Sequence, residues 1–102
     1  MAWNPKETNR LLVFAAAELA RKRRARGLQL NHPEAMALLT DEIFEEARAG
    51  RPYAEVVEHA QRMLQHEDVM EGVSEMIPVV QVDALFPDGV RLVTVNHPIG
   101  KR

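Results

Sequence analysis

Pro78 divides this chain into two regimes of apolar spacing. Before it, apolar residues recur every three or four positions. After it, Val80, Val82, Ala84 and Phe86 alternate with Gln81, Asp83 and Leu85. A period of 3.6 sets one stripe on a helix, and a period of 2 sets one face on a strand. The switch predicts an α+β chain, four helices followed by a C-terminal antiparallel β-hairpin. Asp88-Gly89 lies between the alternating run and Val90 to Asn96, a strong short-range hairpin signal. A two-residue type I′ turn there would pair Phe86 with Arg91, Ala84 with Val93 and Val82 with Val95. The apolar partners then share one face. A lone hairpin is marginal in water, so it must lie on the helices, leaving its outer edges for another chain.

The helical part begins at Asn4, a plausible N-cap with Pro5 at the first helical position and Glu7 completing a capping box. Helix one is predicted over about Pro5 to Arg26, with Leu11, Ala15 and Leu19 as its apolar stripe, flanked by Leu12 and Ala16. Trp3 is placed to pack back over it. Arg21-Lys22-Arg23-Arg24 and Arg26 form a basic last turn that suits the negative end of the helix dipole, and Gly27 can take the left-handed stop. Asn31 and Glu34 repeat the capping-box spacing at the start of helix two, about His32 to Ala49. Met36, Leu39, Ile43 and Ala47 form its stripe, widened by Ala35, Leu38 and Phe44. Asp41, Glu42, Glu45, Glu46 and Arg48 mark its wet side. Helix three is predicted over about Tyr53 to Leu64, with Val56, Val57, Ala60 and Leu64 inward. Helix four spans about Glu67 to Met76, with Val69, Met70, Val73 and Ile77 apolar. A helical Gly72 would cost about 1 kcal/mol against alanine, which suggests a close neighbour.

With 102 residues, 46% hydrophobic and 27% charged, the chain suits one ordinary domain over residues 1–102. Cysteine is absent, which excludes disulfides and thiolate metal sites and fits a reducing cytoplasm. The longest apolar run, Leu11 to Ala17, is far short of a membrane span, and no secretory signal is visible at the start. A net charge of −2 argues against a dedicated nucleic-acid binder.

Candidate chemistry is sparse. His32, His59, His66 and His97 offer no pair at metal-ligand spacing on one regular element, and Met70 stands where H-E-x-x-H needs its second His. No glycine-rich phosphate loop or G-x-S-x-G is present. The carboxylates at 41, 42, 45 and 46 fit a solvated helix face better than an acid–base pair. No catalytic or metal residue is assigned. The basic cluster Arg21, Arg23, Arg24 and Arg26 has three readings: phosphate binding, docking onto an acidic protein surface, or dipole stabilisation with salt bridges to helix two.

Several blocks carry a resemblance. Arg23-Arg24-Ala25-Arg26-Gly27-Leu28-Gln29-Leu30-Asn31-His32-Pro33-Glu34-Ala35 looks like the first signature of the urease gamma subunit family. Val69-Met70-Glu71-Gly72-Val73-Ser74-Glu75-Met76-Ile77 resembles its V-M-E-G-[IV]-x-E-M-I block. Gln81 to Gly89 resembles its Q-V-E-A-T-F-P-D-G strand and turn, and Leu92 to Ile99 its L-V-T-V-x-x-P-I ending. The blocks are collinear over nearly the whole chain. The departures are small: Trp3-Asn4-Pro5-Lys6-Glu7 replaces L-T-P-R-E, and Pro52 and Gln65 each replace a Thr. The resemblance implies a non-catalytic, cytoplasmic subunit of a nickel-dependent urea amidohydrolase. Its partners would be urease alpha and beta subunits, three copies of each, with nickel and the catalytic residues on alpha and no nucleic acid or membrane involved. The ending just after Ile99 resembles the form in which gamma is separate from beta. Arg21, Arg23, Arg24 and Arg26 are then candidate subunit-docking residues. The alternative is a small basic-helix module that binds nucleic acid or another protein.

Overall fold

A computed structural model describes residues 4–100. The packing expected of Trp3 lies outside the described residues. The elements are α1 (Pro5–Ala25), α2 (His32–Arg48), α3 (Tyr53–Arg62), a 3-10 turn (His66–Asp68), α4 (Val73–Met76), β1 (Val79–Phe86) and β2 (Gly89–Asn96). This is the α+β order expected, four helices with a two-stranded antiparallel hairpin.

The ends of the first two helices follow from local chemistry. Asn4 accepts from the Glu7 N–H at 2.8 Å while Glu7 accepts from the Asn4 N–H at 3.0 Å, a complete capping box. Asn31 and Glu34 repeat it at 3.0 and 2.8 Å. At the far end of α1, Gly27 takes φ of 80°. Its N–H reaches the Arg24 carbonyl and the Leu28 N–H reaches that of Arg23, the two bonds of a Schellman stop. Gly50 with Arg51 closes α2 in the same way, with φ of 87° and bonds to Ala47 and Glu46.

Three layers result. The inner face of the hairpin packs on α2 and α3, and α1 lies across the other side of α2. The core runs between α2 and the sheet: Leu38, Leu39, Ile43 and Ala47 meet Val56, Ala60 and Leu64 of the α3 region and Val80, Val82, Val93 and Val95 of the strands. Burying each of these leucine, isoleucine and valine side chains stabilises the fold by about 1.5–3 kcal/mol. Tyr53 ties α3 to β2. Its hydroxyl donates to the Leu92 carbonyl at 3.0 Å and accepts from the Thr94 N–H at 3.1 Å, while its ring stacks on Phe86.

The structure corrects the sequence reading in four places. The hairpin register is Phe86↔Gly89, Ala84↔Arg91, Val82↔Val93 and Val80↔Val95, two residues from the expected one. A turn centred on Asp88-Gly89 would make Pro87 a closing pair, and proline has no N–H to donate there. Pro87 instead sits at the first central position, which its fixed φ suits, with Asp88 second and Gly89 at the end. Asp88 keeps a negative φ, so the turn is not type I′. Because the shift is even, the buried face is unchanged, and Val80, Val82, Ala84 and Phe86 point inward as expected.

Helix four is not continuous. After the 3-10 turn, Val69 forms a parallel bridge to Leu30, with Leu30 N–H to the Asp68 carbonyl at 2.9 Å and Met70 N–H to the Leu30 carbonyl at 2.8 Å. Only Val73–Met76 is α-helical. Gly72 is the residue before it, at φ of 86°, and a Cβ there would meet nothing within 4 Å. Its glycine therefore serves the left-handed backbone and not a close neighbour.

The third correction is the α1 stripe. Leu11, Leu12, Ala15, Ala16 and Leu19 all face solvent, and α1 buries Ala17 and Ala20 instead. The fourth is Asp41, assigned to the wet side of α2 but only 1% exposed.

Candidate functional site

The basic cluster and the acidic face of α2 meet across the α1–α2 interface. Asp41 is the centre. One carboxylate oxygen accepts from Arg10 Nη1 at 2.8 Å and the other from Arg21 Nη2 at 2.7 Å. Arg10 also reaches Glu45 at 2.8 Å and lays its guanidinium 4.5 Å over the Phe44 ring. Arg21 further donates to Glu42 and to Glu18, each at 2.5 Å. Burial opposes the Arg21 charge, but its hydrogen bonds to Asp41, Glu42 and Glu18 outweigh that and hold its pKa above the ordinary arginine range. These arginines lie 31 and 20 residues from Asp41, so no local spacing announces the pair.

The remaining arginines divide. Arg23 is bound to Glu34, a buried carboxylate that also caps α2. Burial pushes the Glu34 carboxyl up, while the Asn31 N–H and the Arg23 guanidinium pull it down further, so the net shift is downward. Arg24 pairs with Asp68 at 3.2 Å, and the same carboxylate accepts from the Gln65 N–H at 2.8 Å. Of the four candidate docking residues, Arg21, Arg23 and Arg24 are thus engaged inside the domain. Arg26 is exposed and, like Lys22, has no ion-pair partner among the described residues. Within the cluster, salt bridges to α2 engage Arg21 and Arg23, and one to the 3-10 turn engages Arg24.

No sequence spacing identified a histidine–carboxylate pair, yet the fold makes them, with His66 Nε2 3.8 Å from Glu75 and a closer contact at His59. His59 Nε2 lies 2.7 Å from Glu42, and its Nδ1 lies 3.9 Å from Glu46. It fastens α3 to the acidic face of α2. No group of three or more His, Asp or Glu side chains among the described residues could hold a metal ion, so the residues present do not fit a nickel centre.

A groove of about 1030 Å³ runs between the first half of α1, the end of α2 and the hairpin tip. Lys6, Arg10 and Arg48 face Glu7, Glu45 and Asp83 along it, three cations against three carboxylates, so it favours neither sign of ligand. No helix among the described residues is long and apolar enough to cross a membrane.

What the surface does present is apolar. On the outward side of α1, Leu12 is 62% and Leu19 44% exposed, with Leu11 and Phe14 beside them. The outer face of the hairpin shows Val79 and Leu92, with Leu85 and Val90 exposed at its tip along the groove. Both outer layers of the domain therefore carry exposed apolar patches, a property of surfaces that bind other chains. The sequence reading placed the first of these inside; only the packing reveals it.

The family described as "Urease, gamma subunit" matches residues 1–99 of the 102. The match spans both capped helices, the broken fourth helix and the hairpin, and the chain belongs to the urease gamma subunit family, as one subunit of a urease.

Proposed function

We propose that this chain is the structural, non-catalytic gamma subunit of a nickel-dependent urease, working in the cytoplasm. Its partners are the alpha and beta subunits, three copies of each. The nickel and the residues that hydrolyse urea to ammonia and carbamate belong to alpha. The observation that carries this is the family match across residues 1–99. Two features of the domain support it. The described residues contain no group fit to activate water on a metal. The two outer layers leave leucine and valine side chains in solvent, where a partner would bury them.

Contribution to catalysis is then indirect, through burial of partner surface and the stability that binding adds to the folded assembly. Docking uses the basic end of α1, with Arg26 and Lys22 as cations left for a partner and Arg21, Arg23 and Arg24 holding the helix in place, and it uses the hairpin as a second surface.

The test is reconstitution of nickel-loaded urease with and without this chain, reading ammonia release and assembly mass. The chain alone should release no ammonia, and alpha with beta alone should fall short in mass or rate. Ammonia release by the isolated chain, or a full-sized and fully active assembly formed without it, would contradict the structural role.

A further inference from the structure

The outward face of α1 is a two-part surface. At 3.6 residues per turn, Thr8, Leu12, Ala15, Leu19, Lys22 and Arg26 lie within about 80° of arc and along about 27 Å of helix. All six are exposed. The opposite face holds Arg10, Val13, Ala17, Ala20, Arg21 and Arg24, which meet the domain. Leu12 and Leu19 are one heptad apart with Ala15 and Ala16 between them, so two large side chains flank a shallow seat where another backbone can come close. Beyond Leu19 the face turns basic, and neither Lys22 nor Arg26 has an ion-pair partner among the described residues.

From this geometry we infer that the outward face of α1 docks an amphipathic helix of another urease subunit, one with an apolar stripe that ends in acidic residues. The inference rests on the structural-subunit reading above and names the partner chemistry for one of its surfaces. Charge excludes the α1 helix of a second copy as the occupant. In a parallel pair of α1 helices, Lys22 and Arg26 would face Lys22 and Arg26. In an antiparallel pair they would face the Thr8 end, which carries no carboxylate on this face. The acidic residues of α1 are Glu7 and Glu18, and both are already engaged, Glu7 by the Asn4 N–H and Glu18 by Arg21. The counter-charge must come from outside α1, and the other subunits of the urease supply it in this reading. The partner's apolar ridge seats between Leu12 and Leu19, and its carboxylates reach Lys22 and Arg26 at the C-terminal end.

The experiment measures binding of the full chain to nickel-loaded urease alpha and beta subunits by native mass spectrometry and sedimentation. The variants are Leu12→Ser/Leu19→Ser and Lys22→Glu/Arg26→Glu, each checked for unchanged circular dichroism. Loss of each leucine should weaken binding about tenfold or more, the factor that corresponds to 1.4 kcal/mol of lost burial. The charge reversal should weaken binding at least as much and should flatten its dependence on salt. Wild-type affinity in both variants would overturn the α1 claim and leave the subunit reading standing. Failure of the unmodified chain to join alpha and beta at all would overturn both. Self-association of the chain that Leu12→Ser/Leu19→Ser abolishes would overturn the choice of partner.

Discussion

Helices α1 and α2 begin and end alike and pack in opposite ways. Each has an Asn–Glu capping box, a proline in its first turn and a glycine Schellman stop. Yet α2 turns its apolar stripe into the core, while α1 turns its stripe out and holds the domain with arginines. The difference shows that amphipathic period fixes which residues share a face, not which face is inward. For α1 the nearest surface of α2 carries Asp41, Glu42 and Glu45, so the face with Arg10 and Arg21 is the one that fits. Ala17 and Ala20 let the two backbones approach, and the guanidinium groups bridge the rest.

The sharpest way to break this comparison is to truncate each stripe in the isolated chain. Ile43→Ala in the buried face of α2 should cost about 3–4 kcal/mol in urea unfolding. Leu12→Ala or Leu19→Ala on α1 should stay within about 0.5 kcal/mol, as exposed positions do. Equal losses at Ile43 and Leu19 would mean that α1 buries its leucines in solution.

Next in size is the anchor that replaces a core for α1. Asp41→Ala leaves Arg10 and Arg21 without their shared carboxylate and should destabilise by about 2–3 kcal/mol, discounted because both guanidinium groups are partly in water. A change below about 0.5 kcal/mol, close to the measurement error, would show that α1 is held by alanine packing alone.

The shared ends predict a shared penalty. Gly27→Ala and Gly50→Ala both force a Cβ into the left-handed region and should each cost about 1 kcal/mol. Unequal thermal midpoints would separate two stops that look alike.

The smallest effect is a titration. Glu34 has its folded pKa depressed below the unfolded value, so its contribution is fully present above the ordinary glutamate range and is lost as pH falls through the folded value. Arg23→Ala should shrink that acid-side loss in a pH series of unfolding midpoints, with no change near neutrality in its slope. A variant that loses stability only above pH 7 would contradict the assignment.

How much was legible in the sequence follows the range of each interaction. The capping boxes and glycine stops span three to six residues, and Asn4, Glu7, Asn31, Glu34 and Gly27 could be read directly. The buried face of the hairpin was legible because its period is local. Its register was not, because the Asp88-Gly89 pattern outweighed the missing N–H of Pro87. The break in helix four depends on Leu30, far away in sequence, pairing with Val69. The burial of Asp41 needs two arginines from another helix, and the outward turn of Leu12 and Leu19 follows from that same pairing. Of the candidate docking set, Arg26 stands free of internal pairs, while Arg21, Arg23 and Arg24 are committed to Asp41, Glu34 and Asp68.

The comparison of the two helices reduces to one observable, the solvent access of the α1 leucines in the free chain and in the enzyme. Hydroxyl-radical footprinting of Leu11, Leu12 and Leu19, with Leu38 and Leu39 as buried references, measures it directly. The account predicts rapid labelling of the α1 leucines in the isolated chain, as for other exposed apolar residues, and strong protection once alpha and beta are bound. The α2 leucines should stay protected in both states. Leucines at 11, 12 and 19 that label equally fast in the assembled urease would contradict it.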